Sequence, residues 1–175
     1  TWTYDDGNGN TSTQTQNVVL NDVTDPVMAA QNVTVSIDAS GNASITTADI
    51  DNGSTDNCSS VSLSLNITSF TCADTGANTV ILTGTDASGN SSTATATVTV
   101  QDVIAPTMSC QSVTLNLDAS GNAVLTTSDI DNGSTDNCGV TLTLSQSAFT
   151  CSDVGTNTVT LTGTDASGNT STCTA

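Results

Sequence analysis

Hydrophobic positions recur along this chain at every second residue. Ala94, Ala96, Val98 and Val100 alternate with Thr93, Thr95, Thr97 and Thr99, the pattern of a strand with one face in a core and a threonine face outside. The same period places Val33, Val35 and Ile37, then Val61, Leu63, Leu65 and Ile67, on inward faces. Val113, Leu115 and Leu117, then Leu142 and Leu144, take matching places further on. Thr suits such strands because its branched carbon fits the pleat. No segment reads as a helix. DASGN stands at Asp38, Asp86, Asp118 and Asp165, each time between two alternating runs. Its Gly supplies the positive φ of a hairpin turn, and Asp and Asn cap that turn with their side chains.

The pattern is repeated on a larger scale. DIDNGSTDNC occurs at Asp49 to Cys58 and again at Asp129 to Cys138, a shift of 80; LTGTDASGN occurs at Leu82 and at Leu161, a shift of 79. The chain therefore divides into residues 1–21, the last two strands of a preceding repeat; 22–101, a complete repeat; and 102–175, a second repeat without its final strand end. It opens and closes inside repeats, as expected of a segment of a longer tandem array or of subunits whose incomplete ends complement one another. About seven short strands in about 80 residues, joined by tight turns, predict an all-β fold of tandem immunoglobulin-like antiparallel β-sandwich repeats.

Composition narrows the chemistry. The 175 residues include 36 Thr and 17 Asp but no Glu, Lys, Arg or His, for a net charge of -17. Nucleic acid and anionic membranes need basic side chains to meet phosphate, so neither is an expected partner. Without His or Lys there is no imidazole base, Schiff base or imidazole metal site. Near-identical copies of each Asp cluster also argue against an Asp-dyad enzyme, and no catalytic residue is expected. No stretch approaches the ~20 apolar residues of a membrane span.

Six cysteines without metal-type CxxC pairs point to disulfides and an oxidising, extracellular or cell-surface location. Cys110 and Cys173 align with Ala30 and Ala94, so both are present in one copy and absent from the other. That joint behaviour pairs Cys110 with Cys173. Cys58 with Cys72 and Cys138 with Cys151 follow as short local bridges.

The acids suggest a cation. Asp49, Asp51 and Asp56 crowd into one acidic loop, and Asp129, Asp131 and Asp136 into its copy, with no counter-charge anywhere in the chain. Calcium takes six to eight oxygens from carboxylates, amides and carbonyls in flexible geometry, and is the expected cofactor. The loop is not an EF-hand, because its Gly comes too early and no closing Glu follows. Asp38 and Asp118 read as turn residues only.

Thr85 to Pro106, TDASGNSSTATATVTVQDVIAP, resembles the end of a cadherin-type repeat. In that family an acidic residue before a turn, an Asp-led linker and a DxD pair in the next domain hold calcium between domains. The resemblance implies roles for Asp86 and Asp165 before the turn, Asp22 and Asp102 in the linkers, and the pairs Asp49 with Asp51 and Asp129 with Asp131. Over nearly the whole chain, DxDNGSxDNC, a Phe two residues before the next Cys (Phe70, Phe149), CxDxG and TDASGN resemble HYR-like, hyalin-type repeats. Such repeats are arrayed in giant flavobacterial surface adhesins, including gliding-motility adhesins.

The function these features imply is a structural stalk repeat of a long secreted adhesin or extracellular filament, stiffened by calcium and disulfides. Its expected partners are neighbouring repeats of the same chain and other copies in a filament. One alternative is a carbohydrate- or surface-binding module using the Thr ladder of Thr93 to Thr99, with counterparts at Thr13 and Thr15. Another is a filament subunit completed by strand exchange.

Overall fold

A computed structural model describes all residues, 1–175, and the protein is all-β. Thirteen strands are β1 (Trp2–Asp5), β2 (Thr11–Gln14), β3 (Val33–Ser36), β4 (Asn42–Ser44), β5 (Ser62–Leu65), β6 (Ser69–Thr71), β7 (Gly76–Thr85), β8 (Ser91–Gln101), β9 (Asn122–Val124), β10 (Thr141–Leu144), β11 (Ala148–Thr150), β12 (Thr160–Thr164) and β13 (Thr170–Thr174). Within 22–101 one sheet runs β3-β8-β7-β5 and a smaller one pairs β4 with β6. All these pairings are antiparallel except β3 with β8, which is parallel. Six strands form here rather than seven. The remaining edge, around Pro26, is reduced to isolated bridges from Val27 to Thr55 and from Ala30 to Asp51, and Pro has no N–H for a ladder.

Alternation did what it dictates. Val80 and Leu82 of β7 and Ala96, Val98 and Val100 of β8 are buried, and Ile37, Ile45, Ile50 and Phe70 complete one core. Leu125, Ile130, Phe149, Val159 and Leu161 form a separate core in 102–175. Gly84 and Gly163 lie inside these cores because a Cβ there would strike the sulfur of Met28 or Met108 and a methyl of Val61 or Val140. Ile67, expected inward, is exposed in the turn between β5 and β6. Val113 is also exposed. Its counterpart Val33 pairs with Val98 in β3–β8, whereas no strand forms around Val113.

Two single-turn helices occur where none was expected: α1 (Thr47–Ile50) and α2 (Thr127–Ile130). Each has a capping box, with Thr46 or Thr126 at the N-cap and Asp49 or Asp129 three residues later. That Thr-x-x-Asp spacing was legible, because such a carboxylate returns to the N-cap N–H.

The β-hairpin turn of the tandem pattern recurs three times. Asp6, Asp86 and Asp165 each receive a backbone hydrogen bond on Oδ1 from the residue two further on and another from the residue four further on. Asn10, Asn90 and Asn169 each add an amide donor to Oδ2. Residues 1–21 therefore carry the same turn as β7–β8 and β12–β13, as their alignment requires.

Candidate functional site

Two acidic pockets stand at equivalent poles of the two units. Asp22, Asp56 and Asp86 bring one carboxylate oxygen each within 4.8 Å of the others, and Asp102, Asp136 and Asp165 do the same. Local turns build each pocket. In the second, Asp165 Oδ1 accepts from the N–H groups of Ser167 (2.9 Å) and Asn169 (2.8 Å), while Oδ2 accepts from Asn169 Nδ2 at 2.7 Å. The same Asn169 amide donates to Asp102 O at 3.1 Å, tying the linker to the hairpin. Asp136 Oδ2 accepts from Cys138 N–H at 2.8 Å, and Asp102 Oδ1 from Ile104 N–H at 3.1 Å. In the first pocket Asn90 Nδ2 likewise donates to Asp86 Oδ2 (2.7 Å) and Asp22 O (3.2 Å), and Asp56 Oδ2 accepts from Cys58 N–H at 2.9 Å.

One oxygen of each linker and loop carboxylate is thereby held, and the other is left over. Asp22 Oδ2, Asp56 Oδ1, Asp102 Oδ2, Asp136 Oδ1 and the Asn137 amide oxygen are buried without a hydrogen-bond partner. Asp102 is 5 % exposed and Asp165 7 %. Buried, unpartnered oxygens on clustered carboxylates are costly, and nothing in this chain carries a side-chain positive charge to offset them. A hard cation reverses the sign. Oxygens on opposite sides of a calcium ion lie about 4.6–5.2 Å apart, twice the usual ligand distance, so three oxygens within 4.8 Å fit inside one such shell.

Local hydrogen bonds and clustered charge act in opposite directions on these groups. Burial opposes ionisation of Asp86 and Asp165, but the hydrogen bonds from Asn90 or Asn169 and the turn amides outweigh it, and both carboxyls titrate below the usual range. Desolvation, then the charges of Asp22, Asp56 and Asp86, push the Cys58 thiol up.

The DxD pairs do not belong to these pockets. Asp49 Oδ2 accepts from Thr46 N–H and Oγ1, both at 2.7 Å, and Asp129 accepts the same pair from Thr126. Asp51 and Asp131 accept from the N–H groups of Ser54 and Ser134, each at 3.0 Å. Side-chain and then backbone hydrogen bonding from Thr46, Thr126, Ser54 and Ser134 lowers all four pKa values. All four are cap and turn residues, a correction to the cadherin-like expectation. Asp86 likewise joins Asp22 of its own unit and not the linker Asp102. Asp38 and Asp118 hold turns, as expected.

The disulfides bear on the same junction. Cys110–Cys173 forms as expected, with Cα atoms 5.9 Å apart. The pairs Cys58–Cys72 and Cys138–Cys151 do not form. Instead Cys72 bonds Cys138 across the two units, with Cα atoms 5.4 Å apart, and Cys58 and Cys151 are free and exposed. The reason is polar placement. Cys58 lies beside the Asp22 pocket at one end of its unit, whereas Cys72 lies against the Asp38–Gly41 turn at the other. Asn137, beside Cys138, is a further junction residue not foreseen. Its Nδ2 donates to Asp38 O of the first unit (3.2 Å) and to Asp102 Oδ1 (3.3 Å). The duplicated Asp-Asn-Cys was visible in the sequence, but not its partner across the junction.

The Thr ladder is only partly open: Thr93 and Thr95 are exposed, and Thr97 and Thr99 are half-buried. No helix is long and apolar enough to cross a membrane. No protein-family model matches the chain, and no curated protein is significantly similar to it.

Proposed function

We propose that the chain is a structural stalk segment of a secreted surface adhesin or filament, of the HYR-like kind, in which calcium and disulfides stiffen successive β-sandwich units. The carrying observation is the Asp102 pocket. Asp102, Asp136 and Asp165 present buried oxygens at a domain junction, and two of those residues have an oxygen with no other partner. Asp102, Asp136 and Asp165 would hold one ion, with the Asn137 amide oxygen and solvent available to complete the shell. Asp22, Asp56 and Asp86 would hold another. Calcium is preferred over softer metals because every donor is oxygen.

An ion here acts mechanically. Held by Asp102, Asp136 and Asp165, it would tie the linker to the loop and the hairpin of the unit that follows, and so restrict how the two units turn about that linker. The Cys72–Cys138 bridge restrains the same junction covalently. Disulfide bridges fit an oxidising extracellular setting. A stalk whose contacts run only between neighbours transmits force along one dimension.

Calorimetric titration with calcium, together with thermal unfolding with and without EDTA, tests the reading. Two sites per chain and a lower melting temperature in EDTA are expected. Unfolding that ignores both calcium and chelator removes the ion from the account. D102N should abolish one of the two sites and leave the other.

A further inference from the structure

The free thiols Cys58 and Cys151 are the two unmatched halves of a bridge the molecule already makes once. Cys138 and Cys58 close the same Asp-Asn-Cys loop. Their N–H groups donate to Asp136 Oδ2 (2.8 Å) and Asp56 Oδ2 (2.9 Å), and Asn137 Nδ2 and Asn57 Nδ2 lie 3.5 and 3.2 Å from the sulfur that follows each. Cys72 and Cys151 open the same 3-10 turn, Cys72–Asp74 and Cys151–Asp153. Their sulfurs sit 3.8 Å from Gly41 O and 3.7 Å from Gly121 O. The structure thus contains one socket–loop pair that is bonded, and one empty socket and one free loop of the same construction.

Burial shows what the bonded pair gains. Asn137 and Cys138 are half-buried where Asn57 and Cys58 are exposed; Cys72 is half-buried where Cys151 is exposed; Gly41 is buried where Gly121 is half-buried. Cys138 also packs against the core of the first unit. The contact is specific: Asn137 O lies 3.4 Å from Cys72 Sγ, and a Cβ on Gly41 would come within 3.0 Å of that oxygen.

We propose that Cys151 of one copy forms a disulfide with Cys58 of a second copy, seated head to tail with the geometry of the Cys72–Cys138 junction. The occupant of the Cys151 socket is the Asp56–Asn57–Cys58 loop, with Asn57 reaching the Asp118 carbonyl as Asn137 reaches that of Asp38. Two thiols become one disulfide, releasing two protons and two electrons to a small-molecule disulfide oxidant such as glutathione disulfide. The Cys151 thiolate attacks the oxidant and expels one glutathione thiolate. The Cys58 thiolate then attacks the Cys151 sulfur of the mixed disulfide and expels the second. Repetition yields a covalent head-to-tail chain, because each copy carries one socket and one loop.

The test is oxidation of the full 175-residue chain in a glutathione redox buffer, resolved by non-reducing electrophoresis and disulfide peptide mapping. A ladder of multimers carrying Cys58–Cys151 peptides is expected. C58S and C151S alone should each stop the ladder. An equimolar mixture of the two should give at least tenfold more dimer than either variant by itself, because only the mixture holds a complementary pair. N57D keeps the thiol but loses the donor to the Asp118 carbonyl, and should lower the yield several-fold. Running each arm in calcium and in EDTA separates this inference from the ion reading, since multimers in either buffer support it. No ladder in both buffers overturns it. So do homodimers of C58S or C151S as abundant as the mixed dimer, and so does a map showing Cys58–Cys72 or Cys138–Cys151 within one copy.

Discussion

The two acidic pockets contain the same residue types in the same turns, yet one is capped by a neighbouring unit and the other is not. Asp102 is buried where Asp22 is half-buried, and Asn137 makes a hydrogen bond across the junction where Asn57 makes none. Local sequence is nearly constant between them, so the difference isolates what a neighbour contributes. It removes solvent from one linker carboxylate, fixes one loop and supplies a partner sulfur. Removing water also raises the cost of an uncompensated carboxylate, so the capped pocket has the stronger need for a cation.

The largest way to break that contrast is to cut the staple. C72S/C138S opens a bridge spanning 66 residues, which loop-closure entropy values at about 4 kcal/mol. Backbone hydrogen exchange at Asn137 and Cys138 should then rise to the level of Asn57 and Cys58. Exchange that stays slow would mean that the non-covalent contact alone holds the junction.

Calcium removal comes next. An ion present at a hundredfold excess over its Kd stabilises by about 2.7 kcal/mol. Titration should resolve two affinities, the tighter lost in D102N and the weaker in D22N. Equal affinities would show that capping does not matter to the ion.

A smaller effect separates two glycines. Gly41 and Gly121 both have positive φ, 78° and 76°, so G41A and G121A share a backbone cost of roughly 1–2 kcal/mol. Only at Gly41 does the added carbon also meet a neighbouring unit, at Asn137 O; at Gly121 it meets only Cys151 Sγ of its own unit. G41A should therefore loosen the junction by small-angle scattering, and G121A should leave it intact. An unchanged junction in G41A would place the contact elsewhere.

Acid should affect both poles alike. Asp86 and Asp165 have folded pKa values below the reference 3.8, so the stability they contribute is fully present above that value and is lost as pH falls through the folded pKa. Amide exchange at Ser88 and Asn90 should accelerate together with that at Ser167 and Asn169 as pH drops below about 4. Acid loss confined to one hairpin would contradict the equivalence of the two turns.

Much of this was readable from local pattern. The period of two located β8 and β5 and the inward Ala96, Val98, Val100, Leu63 and Leu65, because alternation maps directly onto the faces of a strand. DASGN marked the turns, since a short carboxylate two and four residues before amide donors closes a loop by itself. The joint presence of Cys110 and Cys173 identified a bridge without any geometry. All six pocket aspartates were among the candidate ligands, but Asp49, Asp51, Asp129 and Asp131 stood beside them undistinguished. Each of those four satisfies a neighbouring N–H, a competition that spacing reveals only when Thr46 and Ser54, or Thr126 and Ser134, are read together with it.

The sequence by itself determined the repeat, the strands, the turns and the excess of negative charge, because each depends on residues within a few positions of one another. Only the tertiary structure decided which carboxylates face each other and that Cys72 bonds across the junction and not within its unit. Which pole of a sandwich a loop occupies follows from how two sheets pack, and residues such as Asp38 and Asn137, 99 positions apart, meet only when two folded units are set end to end.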